Sequence, residues 1–108
     1  MTEETLGSAL DRLLDVASKR RGGDPDTSYT AKLLNDGTAR CAKKFGEEAV
    51  EVVIAAAQED HGQFCDEVAD VLYHLSVLII SSNVDPADIA GVLKKREGIS
   101  GLDEKASR

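Results

Sequence analysis

Glu47, Glu48 and Glu51, followed by Glu67 and Asp70, are the residues of this 108-residue chain whose types and spacing could do chemistry. On a helix, at 100° per residue, Glu51 lies about 40° round from Glu47 and about 60° from Glu48, so the three share an arc of about 100°. Glu67 and Asp70, three apart, share a face by the same geometry. Taken singly, such pairs are most often solvated outer faces of amphipathic helices. Brought together, they repel, and close like charges either force protonation or recruit a counter-ion. Oxygen-only ligation suits a hard divalent cation, Mg²⁺ or Mn²⁺. A di-iron centre of the ferritin type would need Glu-x-x-His on two helices. Neither histidine fits: His74 falls seven after Glu67 and four after Asp70, and His61 is expected in a loop. His74 shares the acidic face, either supporting the acids or sitting inside as a hydrogen-bonded core histidine.

A basic group precedes the acids: Arg40, Lys43 and Lys44. Lys43–Glu47 and Lys44–Glu48 are i, i+4 pairs, which would support the helix by a few tenths of a kcal/mol each. The functional alternative is a cationic lip that holds phosphate beside a metal, with Arg20, Arg21, Lys32, Lys94, Lys95 and Arg96 as further contributors. No Gly-rich phosphate loop or dinucleotide fingerprint is present, so phosphate would be held by metal and side chains.

The elements that must position these groups read as helices. Between Thr5 and Arg20, Leu6, Leu10, Leu13, Leu14 and Ala17 recur at spacings of three and four; Gly22, Gly23 and Pro25 then stop the pattern. Asp26-Thr-Ser28 offers caps for a short segment, Tyr29 to Leu34, closed by Asn35-Asp-Gly37. A third helix spans about Thr38 to Glu59. Gly46 inside it costs roughly 1 kcal/mol relative to Ala, which suggests a bend or the close approach of another backbone or a ligand. A fourth spans about Gln63 to Ser81, and a fifth starts at Asp85-Pro86 and ends at Gly98. The tail, 99–108, is charged and either flexible or folded over a partner. The third and fourth helices, joined by a short break, should pack antiparallel, facing Glu48-x-x-Glu51 towards Glu67-x-x-Asp70. The fourth is apolar on nearly all sides and must be buried on several of them. The expectation is one all-α domain over residues 1–108, a bundle of four to five helices dimerised through its central helices.

Composition narrows the partners. Thirteen basic against twenty acidic side chains give a net charge of −7, which argues against a nucleic-acid surface. The longest apolar runs, Val52 to Ala57 and Val77 to Ile80, fall far short of the roughly 20 residues of a membrane span. The acidic start, Met1-Thr-Glu-Glu, shows no secretory signal. Cys41 and Cys65 form no Cys-x-x-Cys pair and are expected to be small core hydrophobes. The chain therefore reads as soluble and cytoplasmic.

Gly46-Glu-Glu-Ala-Val-Glu51 with Glu67-Val-Ala-Asp70-Val-Leu-Tyr-His74 resembles the Glu-x-x-Glu…Glu-x-x-Asp signature of the all-α nucleoside-triphosphate pyrophosphohydrolases, the MazG-type superfamily. Ser28-Tyr-Thr-Ala-Lys-Leu-Leu34, Lys43-Lys-Phe-Gly-Glu-Glu48 and the tail from Arg96 to Arg108 further resemble the phosphoribosyl-ATP pyrophosphatase family of histidine biosynthesis. The resemblance covers nearly the whole chain. It implies hydrolysis of phosphoribosyl-ATP to phosphoribosyl-AMP and pyrophosphate, with Glu48, Glu51, Glu67 and Asp70 holding Mg²⁺ (or Mn²⁺). It further implies Glu47 orienting or deprotonating the attacking water, and Lys32, Lys43, Lys44 and Arg96 contacting phosphate. It implies a homodimer or dimer-based oligomer. No second catalytic domain fits, so the next enzyme of the pathway, a cyclohydrolase, would associate only as a separate chain. Two other readings stay open at this point: a house-cleaning hydrolase of free or non-standard nucleoside triphosphates, and a non-catalytic helical dimerisation module.

Overall fold

Residues 3–106 are described by the structure, a computed structural model. Among them are six α-helices and no strand: α1 Leu6–Arg20, α2 Tyr29–Asp36, α3 Thr38–Gln58, α4 His61–Ser81, α5 Pro86–Arg96 and α6 Gly101–Ala106. The all-α reading therefore holds, with one short helix more than the four to five expected. Ser107 and Arg108, the end of the charged tail, lie outside the described residues; the tail before them forms α6, with the Ser100 hydroxyl accepting from the Asp103 N–H.

Local chemistry sets the boundaries. Thr5 and Ser8 form a reciprocal capping box at the start of α1. Ser28, of the three candidates, caps α2 by accepting from the Ala31 N–H. Gly37, at φ 100°, ends α2 and admits α3 immediately after it, a conformation that favours glycine. Asp60 accepts from the Gln63 N–H, so α4 starts at His61, two residues before the expected start. His61 is thus the exposed first residue of a helix rather than a loop residue; the cap outweighs the weak helix propensity of Gly62.

α3 and α4 form the largest interface, α1 lies along α4, and α2 contacts both central helices and α1. The Thr38 hydroxyl, at the start of α3, donates to the Ser81 carbonyl at the end of α4 (3.1 Å), so the two run antiparallel. At that end sits the dense core: Leu33, Cys41 and Val77, each no more than 2% exposed, with Leu34, Tyr73 and Leu78 packed on them. The Cys41 thiol donates to the Leu33 carbonyl at 3.2 Å. Arg21 reaches the Ile80 carbonyl and ties the end of α1 to α4.

The remainder is lightly covered. Cys65 is an exposed free thiol, not a core residue. It lines an apolar groove of about 670 Å³ between α1 and α4, walled by Leu10, Leu13, Phe64, Val68 and Leu72. Val50, Val53 and Ile54 on α3 are 56%, 68% and 44% exposed. α5 has no buried residue, and Val92 and Leu93 on it stay exposed.

Candidate functional site

The antiparallel register of α3 and α4 sets Glu48 opposite Glu67 and Asp70. One carboxylate oxygen from each lies within 4.8 Å of the others. Glu48 and Glu67 are half-buried and Asp70 is exposed. The Gln63 amide donates to Glu67 Oε1 at 2.6 Å; Gln63 is one turn before Glu67 on α4, a spacing the sequence already displayed. Partial desolvation, then the neighbouring charges of Asp70 and Glu51, hold the Glu67 carboxyl above the usual carboxylate range; the Gln63 bond and the charge of Glu48 act more weakly. The acids thus crowd one another.

Glu51, expected in the same set, is exposed and outside the 4.8 Å group, although its charge acts on Glu67. Glu47 is also outside it: its Oε2 is 3.8 Å from Lys44 Nζ. Neither of the i, i+4 pairs, Lys43–Glu47 and Lys44–Glu48, is formed; Lys44 pairs at i, i+3 instead. As a result no ion pair compensates Glu48, Glu67 or Asp70 among the described residues. An all-oxygen donor set with unbalanced negative charge fits a hard divalent cation.

The basic residues are dispersed. Lys43 is exposed on α3 beside the half-buried Lys44. Lys32 on α2 holds Asp36 at 3.2 Å. Arg96 is in the last turn of α5, which adds no extensive contact to the α1–α4 packing. Lys43 and Lys44 stand within one turn of Glu47 and Glu48; the other two are placed on separate elements.

Three aromatic rings flank the acids, and no periodic pattern in the residues signals their meeting. The Tyr29 and Tyr73 rings stack at 6.4 Å between centroids. His74 meets Tyr73 edge-on at 5.0 Å and Tyr29 at 6.3 Å. The hydroxyls of Thr30 and Tyr73 are 2.6 Å apart, pinning the start of α2 to α4. His74 is 7% exposed, so its interior placement is as expected; its hydrogen bonding is not, because the buried Nδ1 has no partner. Burial pushes its pKa below the usual histidine value, outweighing Glu48, which pulls it up; Lys44, Asp70 and Glu47 act less.

Residues 10–97 match the family model described as phosphoribosyl-ATP pyrophosphohydrolase. A protein of Parvibaculum lavamentivorans named phosphoribosyl-ATP pyrophosphatase is 56% identical over 101 residues, covering 94% of this chain and 93% of its own. One of that name from Dinoroseobacter shibae is 52% identical, covering 94% and 99%. Another from Azospirillum brasilense is 49% identical over 109 residues, covering 100% and 98%.

Proposed function

Since the chain belongs to the phosphoribosyl-ATP pyrophosphohydrolase family, we propose that Mg²⁺, or Mn²⁺ in its place, held by Glu48, Glu51, Glu67 and Asp70 supports its reaction. That reaction is the hydrolysis of phosphoribosyl-ATP to phosphoribosyl-AMP and pyrophosphate in histidine biosynthesis. The convergence of Glu48, Glu67 and Asp70 within 4.8 Å carries the metal reading. Glu51 completes the set, since its charge already acts on Glu67. When bound, the cation supplies neutralisation of phosphate charge and acidification of water.

The side chains supply the remainder. A water oxygen attacks phosphorus at the α–β linkage, and the bond to the bridging oxygen breaks. Glu47, on the same arc and outside the carboxylate triple, takes the water proton. Its loose pairing with Lys44 leaves a carboxylate available to accept it. Lys43 and Lys44 contact the phosphates from α3; Lys32 and Arg96 approach from α2 and α5. The departing pyrophosphate leaves with the electron pair of the broken bond.

We further infer a homodimer, or an oligomer built from dimers. The apolar α1–α4 groove and the exposed Val50, Val53 and Ile54 on α3 are the surfaces a second copy would cover. The unpaired thiols Cys41 and Cys65 suit a cytoplasmic enzyme.

Pyrophosphate release from phosphoribosyl-ATP, compared with ATP and deoxynucleoside triphosphates, with and without Mg²⁺, tests the reading. The expected result is Mg²⁺-dependent release with phosphoribosyl-ATP strongly preferred. Equal turnover of plain ATP would replace the specific enzyme by a house-cleaning one, and full activity with the metal chelated would remove the cation.

A further inference from the structure

His74 is the buried polar group that the reaction above does not use. Its ring is 7% exposed, and Nδ1 is enclosed without a hydrogen-bond partner. Buried polar groups are nearly always bonded, and an unpaired one costs about 1–3 kcal/mol. The two aromatic-edge contacts cannot relieve that, because Tyr73 and Tyr29 meet the imidazole through their rings, while the Tyr73 hydroxyl is engaged with Thr30.

The surroundings say what the missing acceptor is. His74 follows Asp70 by one turn on the same face of α4. Across the interface, a Glu48 carboxylate oxygen lies within 4.8 Å of one of Asp70, which sets Glu48 beside the face that His74 occupies. A neutral imidazole has one N–H to give and one nitrogen to accept with, and Nδ1 is the enclosed one. Glu48 is half-buried and has no ion pair among the described residues. A carboxylate that must aim at a cation benefits from a fixed donor behind it.

We propose that His74 is a positioning residue for Glu48: its orphan Nδ1–H closes on the Glu48 carboxylate when a divalent cation enters the cluster, fixing the orientation of that ligand. The inference rests on the metal reading above. The group does not touch substrate, and its effect on the reaction runs through Glu48 alone.

Titration calorimetry with Mg²⁺ alone, and with Mn²⁺ alone, tests it on the wild type, His74→Phe and His74→Asn. Phe keeps the ring and its edge contacts without a donor; Asn places an amide N–H where Nδ1 was. We expect His74→Phe to weaken Mg²⁺ binding by about 10-fold or more, the effect typical of losing an outer partner of a ligand. His74→Asn should recover most of the loss. Mg²⁺ affinity unchanged in His74→Phe, or equal losses in both variants, overturns the role. A second measurement needs no variant: the ¹⁵N ring resonances of His74 should move on Mg²⁺ addition, with its N–H proton protected from exchange, and unmoved resonances overturn the role even if His74→Phe does not fold. A wild type that binds neither ion sinks the metal reading itself, whereas a wild type that binds beside an unaffected His74→Phe sinks only the part assigned to His74.

Discussion

The open end of the α3–α4 hairpin and its middle are built on opposite principles. At the open end Leu33, Cys41 and Val77 are enclosed, and the hydrogen bonds around them are made. In the middle, the half-buried Glu48 and Glu67 crowd the exposed Asp70, with no ion pair to them among the described residues, beside the unpartnered Nδ1 of His74. The first lowers the free energy of the fold; the second raises it. Both are positioned by the same pair of helices, so the packed end acts as the frame that makes the repulsive middle possible. Stability and chemistry are therefore separable along one hairpin, and substitutions can pull them apart.

The largest separation is expected from Glu67→Gln. It removes a charge from the cluster while keeping the shape and the neighbourhood of Gln63. Hydrolysis of phosphoribosyl-ATP should fall by more than about 100-fold, beyond the effect of losing an outer partner. Without metal, the variant should melt higher than the wild type. The sign follows from linkage: the folded chain holds the Glu67 proton more tightly than the unfolded chain, so ionisation at neutral pH works against folding. The gap between the two melting temperatures should shrink as pH falls through the raised Glu67 value and vanish below the ordinary carboxylate range. Mg²⁺ should raise the melting temperature of the wild type and leave the variant unmoved. A variant that melts lower at every pH would show that the acids are not in conflict.

Leu33→Ala is the converse. Leu33 is 2% exposed, and its truncation should destabilise the chain by about 2–5 kcal/mol. Each kcal/mol lowers the melting temperature of a domain this size by roughly 4–8 °C. The kcat of the folded fraction, measured well below the melting temperature, should stay within about two-fold, since an effect carried from the core to the acids would amount to less than about 0.5 kcal/mol. A large fall in kcat per folded molecule would show that the core and the acids are coupled, with Tyr73, which packs on the core and meets His74 edge-on, as the link.

Much of this was legible in the residues. Periodicity and caps located the helices because each boundary is a local event: Thr5 with Ser8, Ser28 with Ala31, Asp85 with Ala87. The facing of Glu48 towards Glu67 and Asp70 followed from two periodic helices joined by a tight connection. What spacing alone left open was whatever depends on rotamers or on the absence of a neighbour. Lys44 chose Glu47 over Glu48, a matter of side-chain geometry that spacing leaves open. Glu51 shares the arc yet stays outside the close group. Cys65 sits on a groove, not in a core, because only α1 lies across that part of α4. The Tyr29–Tyr73–His74 cluster joins α2 to α4 over a long sequence separation, and no local pattern encodes such a contact.

The smallest effect is expected at Gly46, which lies between the two regimes. Its presence inside α3 suggests close approach by something, yet a Cβ built there meets nothing within 4 Å. In the isolated chain Gly46→Ala should therefore stabilise α3 by about 0.5–1 kcal/mol, the difference in helix propensity. Gly91, in α5, is equally open and serves as the matched control. Gly46 precedes the exposed Val50 and Val53 by one and two turns, on the face a second copy would cover, and it directly precedes Glu47 and Glu48. If Gly91→Ala stabilises and Gly46→Ala does not, the missing gain measures contact with another molecule at that face. Sedimentation then separates the two occupants: a weakened dimer assigns the contact to a second copy, and an intact dimer with a raised KM assigns it to the substrate. Equal stabilisation in both variants, with dimer and KM unchanged, would leave Gly46 as a bend in the helix and confine the chemistry to the carboxylate cluster.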